Sequence, residues 1–231
     1  DEHNKPRLSA FLDIPGFRFN ATHLGHARIR GTFETDDQTI RLQANMTEGT
    51  VGQTNVNGYV SLGHKDLDLR IEGENTPLGF LNHYISDIFH NIRGRSTGTC
   101  RIFGGFKSID FEGSQRASAS ALLPINGVTY HLNDAEVEIS PGTFRLNSAT
   151  LTDSLRGTGR VQGVLNHRHL HDMRYDFAMS GNNMLLYDRP QEDDLPFYAT
   201  AYGTGDVLLK GRPGRLDVNL KVRTEPGSVL P

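Results

Sequence analysis

Tryptophan is missing from these 231 residues, cysteine occurs once, and no apolar run is long enough to span a bilayer as a helix. Each gap excludes something. A membrane barrel needs aromatic girdles at both interfaces, and here 7 Tyr and 12 Phe are not placed at strand ends. Cys100 alone rules out a disulfide framework or a cysteine metal cluster, and in strand context it reads as a small buried residue. Neither charge sign dominates. Lys and Arg number 24 against 27 Asp and Glu, both spread along the chain, so there is no nucleic-acid footprint. No signal peptide is visible. The chain begins and ends in mid-pattern, as expected of a piece of a longer protein whose anchor lies elsewhere.

What is present is alternation. Hydrophobic residues make up only 36%, yet they recur at period two. Ala27, Ile29, Gly31 and Phe33 point one way and Arg28, Arg30, Thr32 and Glu34 the other. The pattern returns at Ile40–Met46, Val56–Leu62, Leu67–Gly73, Ile109–Phe111, Ala117–Leu123, Ala135–Ile139, Phe144–Leu146, Gly159–Leu165, Met173–Met179, Gly205–Gly211 and Leu216–Val222. About fourteen strands follow, separated by turn signals such as Asp36-Asp37, Gly63-His64-Lys65, Pro141-Gly142 and Arg212-Pro213-Gly214. Gln191–Asp194 is an acidic loop. No composition shift divides the chain, so residues 1–231 read as one segment with a linker or edge over 1–25. Leu8–Phe19, interrupted by Pro15-Gly16, reads as a broken strand or linker.

One stretch breaks the rhythm. From Pro77 to Ile92, Leu81, Tyr84, Ile85, Ile88, Phe89 and Ile92 recur at helical period, with Thr76 suited to the N-cap and Gly94 to the stop. The spacing predicts a short amphipathic helix over 77–92. Its Leu81, Ile85, Ile88 and Phe89 would cover an otherwise open sheet end.

Strands apolar on one face and charged on the other predict antiparallel sheet with one wet side. Glycines fall in phase with the apolar set at Gly31, Gly58, Gly73, Gly159, Gly163, Gly205 and Gly211. They lower the bulk there and let the sheet curl. Such a sheet can pack on a second one, close into a barrel, or fold into a trough; a lipocalin-type barrel of about eight strands is too small for this count.

Catalytic and metal motifs fare poorly. Gly94-Arg95-Ser96-Thr97-Gly98 spells a nucleophile elbow, but the predicted helix precedes Ser96 and a strand follows, the reverse of what an elbow needs. His167, His169 and His171 alternate beside Asp172 and would share a strand face, yet no Cys or further placed carboxylate completes a metal set, so they read as exposed turn histidines. Gly157-x-Gly159-x-x-x-Gly163 lacks dinucleotide spacing. Asn20-Ala21-Thr22 and Asn45-Met46-Thr47 are sequons in form only.

Three stretches carry a family resemblance: GHKDLDLRIEGENTPLGFLNHYI (63–85), GRSTGTCRIFGGFKSIDFEGSQRASA (94–119) and PFYATAYGTGDVLLKGRPGRLDVNLKVRTEPGSVLP (196–231). Their order and spacing resemble the C-terminal part of TamB, the large subunit of the translocation and assembly module, in the AsmA-like group of bridge-like lipid transport proteins. Ala199 stands where that family has a small glycine. The resemblance implies an all-β fold, a long curved antiparallel sheet bent into a β-taco, a U-shaped trough with an apolar inside. It implies a periplasmic protein anchored in the inner membrane outside this fragment, with its C-terminal end at a TamA-like outer-membrane barrel of the Omp85 class. The roles it suggests are phospholipid transport between the two membranes and outer-membrane protein assembly, without cofactor or enzymatic activity. The residues expected to line a groove for phospholipid acyl chains are Ile29, Phe33, Leu42, Val60, Leu69, Ile71, Phe111, Val137, Ile139, Val161, Phe177, Leu209, Val218 and Leu220. From pattern alone the same residues read as an ordinary packed core. The alternative role is a chaperone whose sheet edges template nascent outer-membrane strands by β-augmentation.

Overall fold

A computed structural model describes residues 7–86, 88–155, 157–189 and 199–229. Because nearly every connection is a short turn, each strand pairs with its sequence neighbour. The strands are β1 (Arg7–Phe19), β2 (Thr22–Glu34), β3 (Thr39–Glu48), β4 (Gly52–Ser61), β5 (Asp66–Pro77), β6 (His90–Gly105), β7 (Ser108–Leu123), β8 (Val128–Ser140), β9 (Thr143–Asp153), β10 (Thr158–Arg168), β11 (His171–Arg189), β12 (Ala199–Arg212) and β13 (Arg215–Thr224). All thirteen form one antiparallel meander in chain order. The sheet is not closed; β1 and β13 are its edges. The acidic loop at 191–194 lies outside the described residues.

Residues 8–19 belong to β1, a full strand on an edge rather than a linker. Pro15-Gly16 makes a register break between Ile14 and Phe17, which an edge strand tolerates because its outer N–H groups have no ladder to complete.

The expected helix over 77–92 does not form. Pro77 ends β5, a 3-10 helix covers only Gly79–His83, turns follow, and β6 begins at His90. The segment offers Gly79, Asn82 and Ser86, weak helix formers, and the Asn and Ser side chains compete for backbone bonds. Asn82 does so directly. Its Nδ2 donates to the carbonyls of Gly79 (2.8 Å) and Ile92 (2.9 Å), and its Oδ1 accepts from Ile92 N (2.7 Å), which pins Ile92 into the sheet. Thr76, expected as an N-cap, instead shares a 2.7 Å hydroxyl bond with Thr54 inside the ladder. Leu81, Ile85, Ile88 and Phe89 are half-buried in this crossing, which lies over the β1–β2 hairpin. Phe80 packs edge-on to Phe19 at 5.9 Å, and Asn20 Nδ2 donates to the Tyr84 hydroxyl at 3.0 Å.

The charged face is laced across strands. Arg101 on β6 donates to Asp68 on β5 (2.7 and 2.8 Å) and to Glu112 on β7 (2.8 Å), and its cation lies 4.6 Å from the Phe103 ring. These hydrogen bonds hold the Asp68 carboxyl below its usual range and push the Arg101 guanidinium further up.

Candidate functional site on the apolar face

Register converts the period-two pattern into a surface. Starting at Leu12, direct cross-strand partners run Ile29, Ala44, Val56, Ile71, Cys100, Gly113, Ile139, Phe144, Leu165, Tyr175, Gly211 and Leu216. One row therefore crosses every strand without a charged side chain. Parallel rows carry the rest of the predicted lining: Leu42 opposite Gly58, then Leu69; Phe33 in line with Val60; Val137 in line with Phe177, Leu209 and Val218; Val161 in line with Leu220. All fourteen expected residues lie on this face.

Their burial is uneven. Val161 is buried, Val218 and Leu220 are exposed, and the other eleven are half-buried. A core sandwiched between two layers would bury nearly all of them. Among the described residues no second sheet lies over the face, and the strands that meet across the sheet are chiefly β8 with β11, β9 with β11 and β2 with β5. The buried cluster is Ala135, Ala149, Leu151, Val161 and Met184, packed by Tyr130, Leu132 and Phe177 among others. The buried cluster thus lies over β8–β11, while toward the edges burial falls on separate residues such as Ala27 on β2, Met46 on β3 and Val207 on β12.

Glycine does not always leave space, contrary to expectation. At Gly31 an added Cβ would meet only Ile40, at 3.9 Å. At Gly163 it would fall 2.3 Å from the Phe177 ring, so the aromatic occupies the room the glycine vacates. Gly159 is covered by the Met184 thioether in the same way, 2.7 Å from the added carbon.

Two polar devices hold the filled region, and alternation gave no sign of either. Asp153, 7% exposed, accepts from Leu155 N (2.8 Å) and Gly157 N (3.0 Å) through Oδ1 and from Leu185 N (2.6 Å) through Oδ2. It ties the β9–β10 turn to β11. The Tyr130 hydroxyl donates to Leu185 O (3.0 Å), while Asn126 donates to Leu186 O (3.1 Å) and takes the Asp188 N–H on its own carbonyl (2.8 Å). Burial pushes the Tyr130 phenol up to about 12. The Asp-x-x-x-Gly turn at 153–157 was the only sequence signal for the first device.

The three histidines do not share a face. His169 and Leu170 form the β10–β11 turn with φ of 52° and 65°, so His167 and His171 lie on opposite sides of a reversal. His167 is buried, not an exposed turn residue. Its Nδ1 accepts from Leu170 N (3.1 Å), and its ring sits 4.9 Å from Phe144 and 6.0 Å from Phe111. Burial holds its pKa below the usual value. Nδ1 as acceptor places the neutral proton on Nε2, among the aromatics. Among the described residues no group of three or more His, Cys, Asp or Glu is arranged to hold a metal. Ser96 lies mid-strand in β6 opposite Thr76 and Ala117, with no elbow around it.

Two shallow hollows, of about 300 and 480 Å³, open on the charged face over β9–β13. Arg145, Gln162 and Asp176 line the first; Arg160, Asp206 and Lys221 line the second together with Ala178 and Leu208, so charge stands beside both.

Residues 147–231, from the last part of β9 through β13, match the family model of the TamB C-terminal domain. Over that stretch the chain is TamB-like. The matched stretch contains Val161, Phe177, Leu209, Val218 and Leu220 of the apolar face, together with both Asp153 and His167. Residues 63–85 and 94–119 lie outside it. No curated protein and no solved structure matches the chain. No helix among the described residues is long and apolar enough to cross a membrane. Similarity to the TamB C-terminal domain over this stretch is consistent with the periplasm and with a role in outer-membrane assembly or transport.

Proposed function

We propose that this chain is a non-enzymatic segment of a TamB-type protein whose apolar face carries phospholipid acyl chains across the periplasm toward an Omp85-class outer-membrane barrel. The observation that supports this reading above others is the uncharged row through all thirteen strands, half-covered along most of its length. An acyl chain exposed to water costs about 0.8 kcal/mol per CH₂. A tail passing from a bilayer onto a continuous aliphatic surface keeps apolar neighbours, so that barrier falls without a tight site. At about 4.8 Å per strand the face extends about 60 Å. The charged opposite face, with its Arg101–Asp68–Glu112 bridges, keeps the element soluble.

The test is a photo-crosslinking amino acid at Leu69 on the apolar face and, as control, at Arg70 on the other. Phospholipid captured at Leu69 alone, with lipid co-purifying in native mass spectrometry, supports carriage. Equal labelling at both positions, or none, refutes it.

A second reading draws on β1. Leu8 is 70% exposed and Phe11 59%, so this edge offers apolar side chains beside an unpaired ladder, which suits templating of nascent outer-membrane strands. Crosslinks from Phe11 to nascent protein, with lipid absent from Leu69, would select it.

A further inference from the structure

The opposite edge has a charge order of its own. Among the described residues β13 has one hydrogen-bonded neighbour, β12, and nine of its ten residues are exposed, including Leu216, Val218 and Leu220. The described part of the tail, to Val229, does not cover the edge. Val229 bridges Thr200, and Glu225 N bonds Tyr202 O, so the tail continues along β12. On the charged face each end of the strand carries a cation followed two residues on by an anion. Arg215 precedes Asp217 (4.0 Å) and Arg223 precedes Glu225 (2.9 Å).

We infer that β13 pairs antiparallel with β13 of a second copy about a two-fold axis through Leu220, joining two sheets into one. In that register Asp217 faces Arg223 of the other copy, Arg215 faces Glu225, and Asn219 faces Lys221. Every charged pair is then attractive or neutral. A centre at Asn219 sets Arg215 against Arg223; a centre at Val218 sets Arg215 against Lys221; a centre at Lys221 sets Asp217 against Glu225. Like charges directly opposite destabilise a ladder, so of these four registers only the one centred on Leu220 is free of conflict.

The backbone agrees. A two-residue turn joins Arg212 to Arg215, so that closing pair is hydrogen-bonded and alternate residues bond β12 from there on. The N–H and C=O groups of Leu216, Val218, Leu220 and Val222 consequently point outward. These are the residues the Leu220 register pairs with one another and with Thr224. An axis perpendicular to the sheet keeps both apolar faces on the same side, so Leu220 meets Leu220 and Val218 meets Val222.

Cysteine crosslinking in the full chain, carrying Cys100→Ser, reads the register. Opposed hydrogen-bonded residues sit about 5.5 Å apart at Cα, within disulfide reach. Leu220→Cys is expected to form a disulfide dimer under mild oxidation. Leu216→Cys is not, because its two copies stand about 27 Å apart along the strands. In sedimentation equilibrium, Asp217→Arg is expected to raise the dimer dissociation constant about tenfold, since two pairs become repulsive, and Asp217→Arg with Arg223→Asp to restore it. Far-UV circular dichroism of each variant establishes that it is folded. A monomer at every soluble concentration, crosslinking of Leu216→Cys as readily as Leu220→Cys, or open-ended assembly through β1 overturns the inference. Lipid capture at Leu69, far from this edge, is read on the same variants and reports separately on carriage.

Discussion

Replacing Asp153 by alanine tests the claim that a single carboxylate holds the filled part of the sheet together. Three backbone N–H groups, from Leu155, Gly157 and Leu185, bond its two oxygens, and Gly157 and Leu185 are themselves buried. Hydrogen bonds to a charged group contribute about 1.5–3 kcal/mol each, and a buried donor left unpaired costs about 1–3 kcal/mol. Part of this is recovered, since Leu155 is exposed and water can reach its N–H. The loss of two buried bonds and relaxation of the turn set the expectation at about 3–5 kcal/mol. For a chain of this size that lowers the melting temperature by about 10 °C. Asp153→Asn is the sharper variant. Its oxygen can still serve the turn, but its NH₂ would face Leu185 N, donor against donor, so about half the loss is expected. Urea unfolding followed by far-UV circular dichroism gives both numbers, with an unchanged m-value showing that the same surface is exposed. A loss under 1 kcal/mol for Asp153→Ala would mean that apolar packing around Met184 and Leu151 holds the region alone. The reasoning about Asp153 would then fail.

Further expectations concern glycine and pH. Gly58 has φ of 148° and an added Cβ would stand 1.9 Å from Asp68 O, so Gly58→Ala must shift the β4–β5 ladder and is expected to cost about 3 kcal/mol or more. Gly16, with nothing within 4 Å, should accept alanine within about 0.5 kcal/mol; equal melting temperatures for the two variants would refute the distinction. His167 has a depressed pKa, so the unfolded chain takes up its proton first. Stability is full above the unfolded value of about 6.5 and is lost as pH falls below it, through the folded value. His167→Phe, which fills the slot beside Phe144, should flatten the difference between melts at pH 7.5 and 5.5. An unchanged pH difference would exclude His167 as its source.

The strands and their faces were legible because period two leaves no choice: once Ile29 points inward, Arg28 and Arg30 cannot. Short turns then dictated that neighbours in sequence pair in space, and all fourteen groove candidates fall on one face as a consequence. The stretch from Leu81 to Ile92 misled for a physical reason. Apolar spacing at 3.6 residues reports where greasy side chains recur, not whether the backbone can close helical bonds, and Asn82 spends its amide on Gly79 and Ile92 instead. The histidine pattern misled similarly, since alternation says nothing about a turn inserted between His167 and His171.

By itself, then, the amino-acid order determined a single-faced antiparallel meander, because side-chain period and turn length are local properties. Only the tertiary structure decided where that face is covered. Asp153 on β9 reaching Leu185 N and Tyr130 on β8 reaching Leu185 O on β11 are meetings between strands that do not pair. They depend on how far successive strands coil, a sum of small twists that no window of sequence contains.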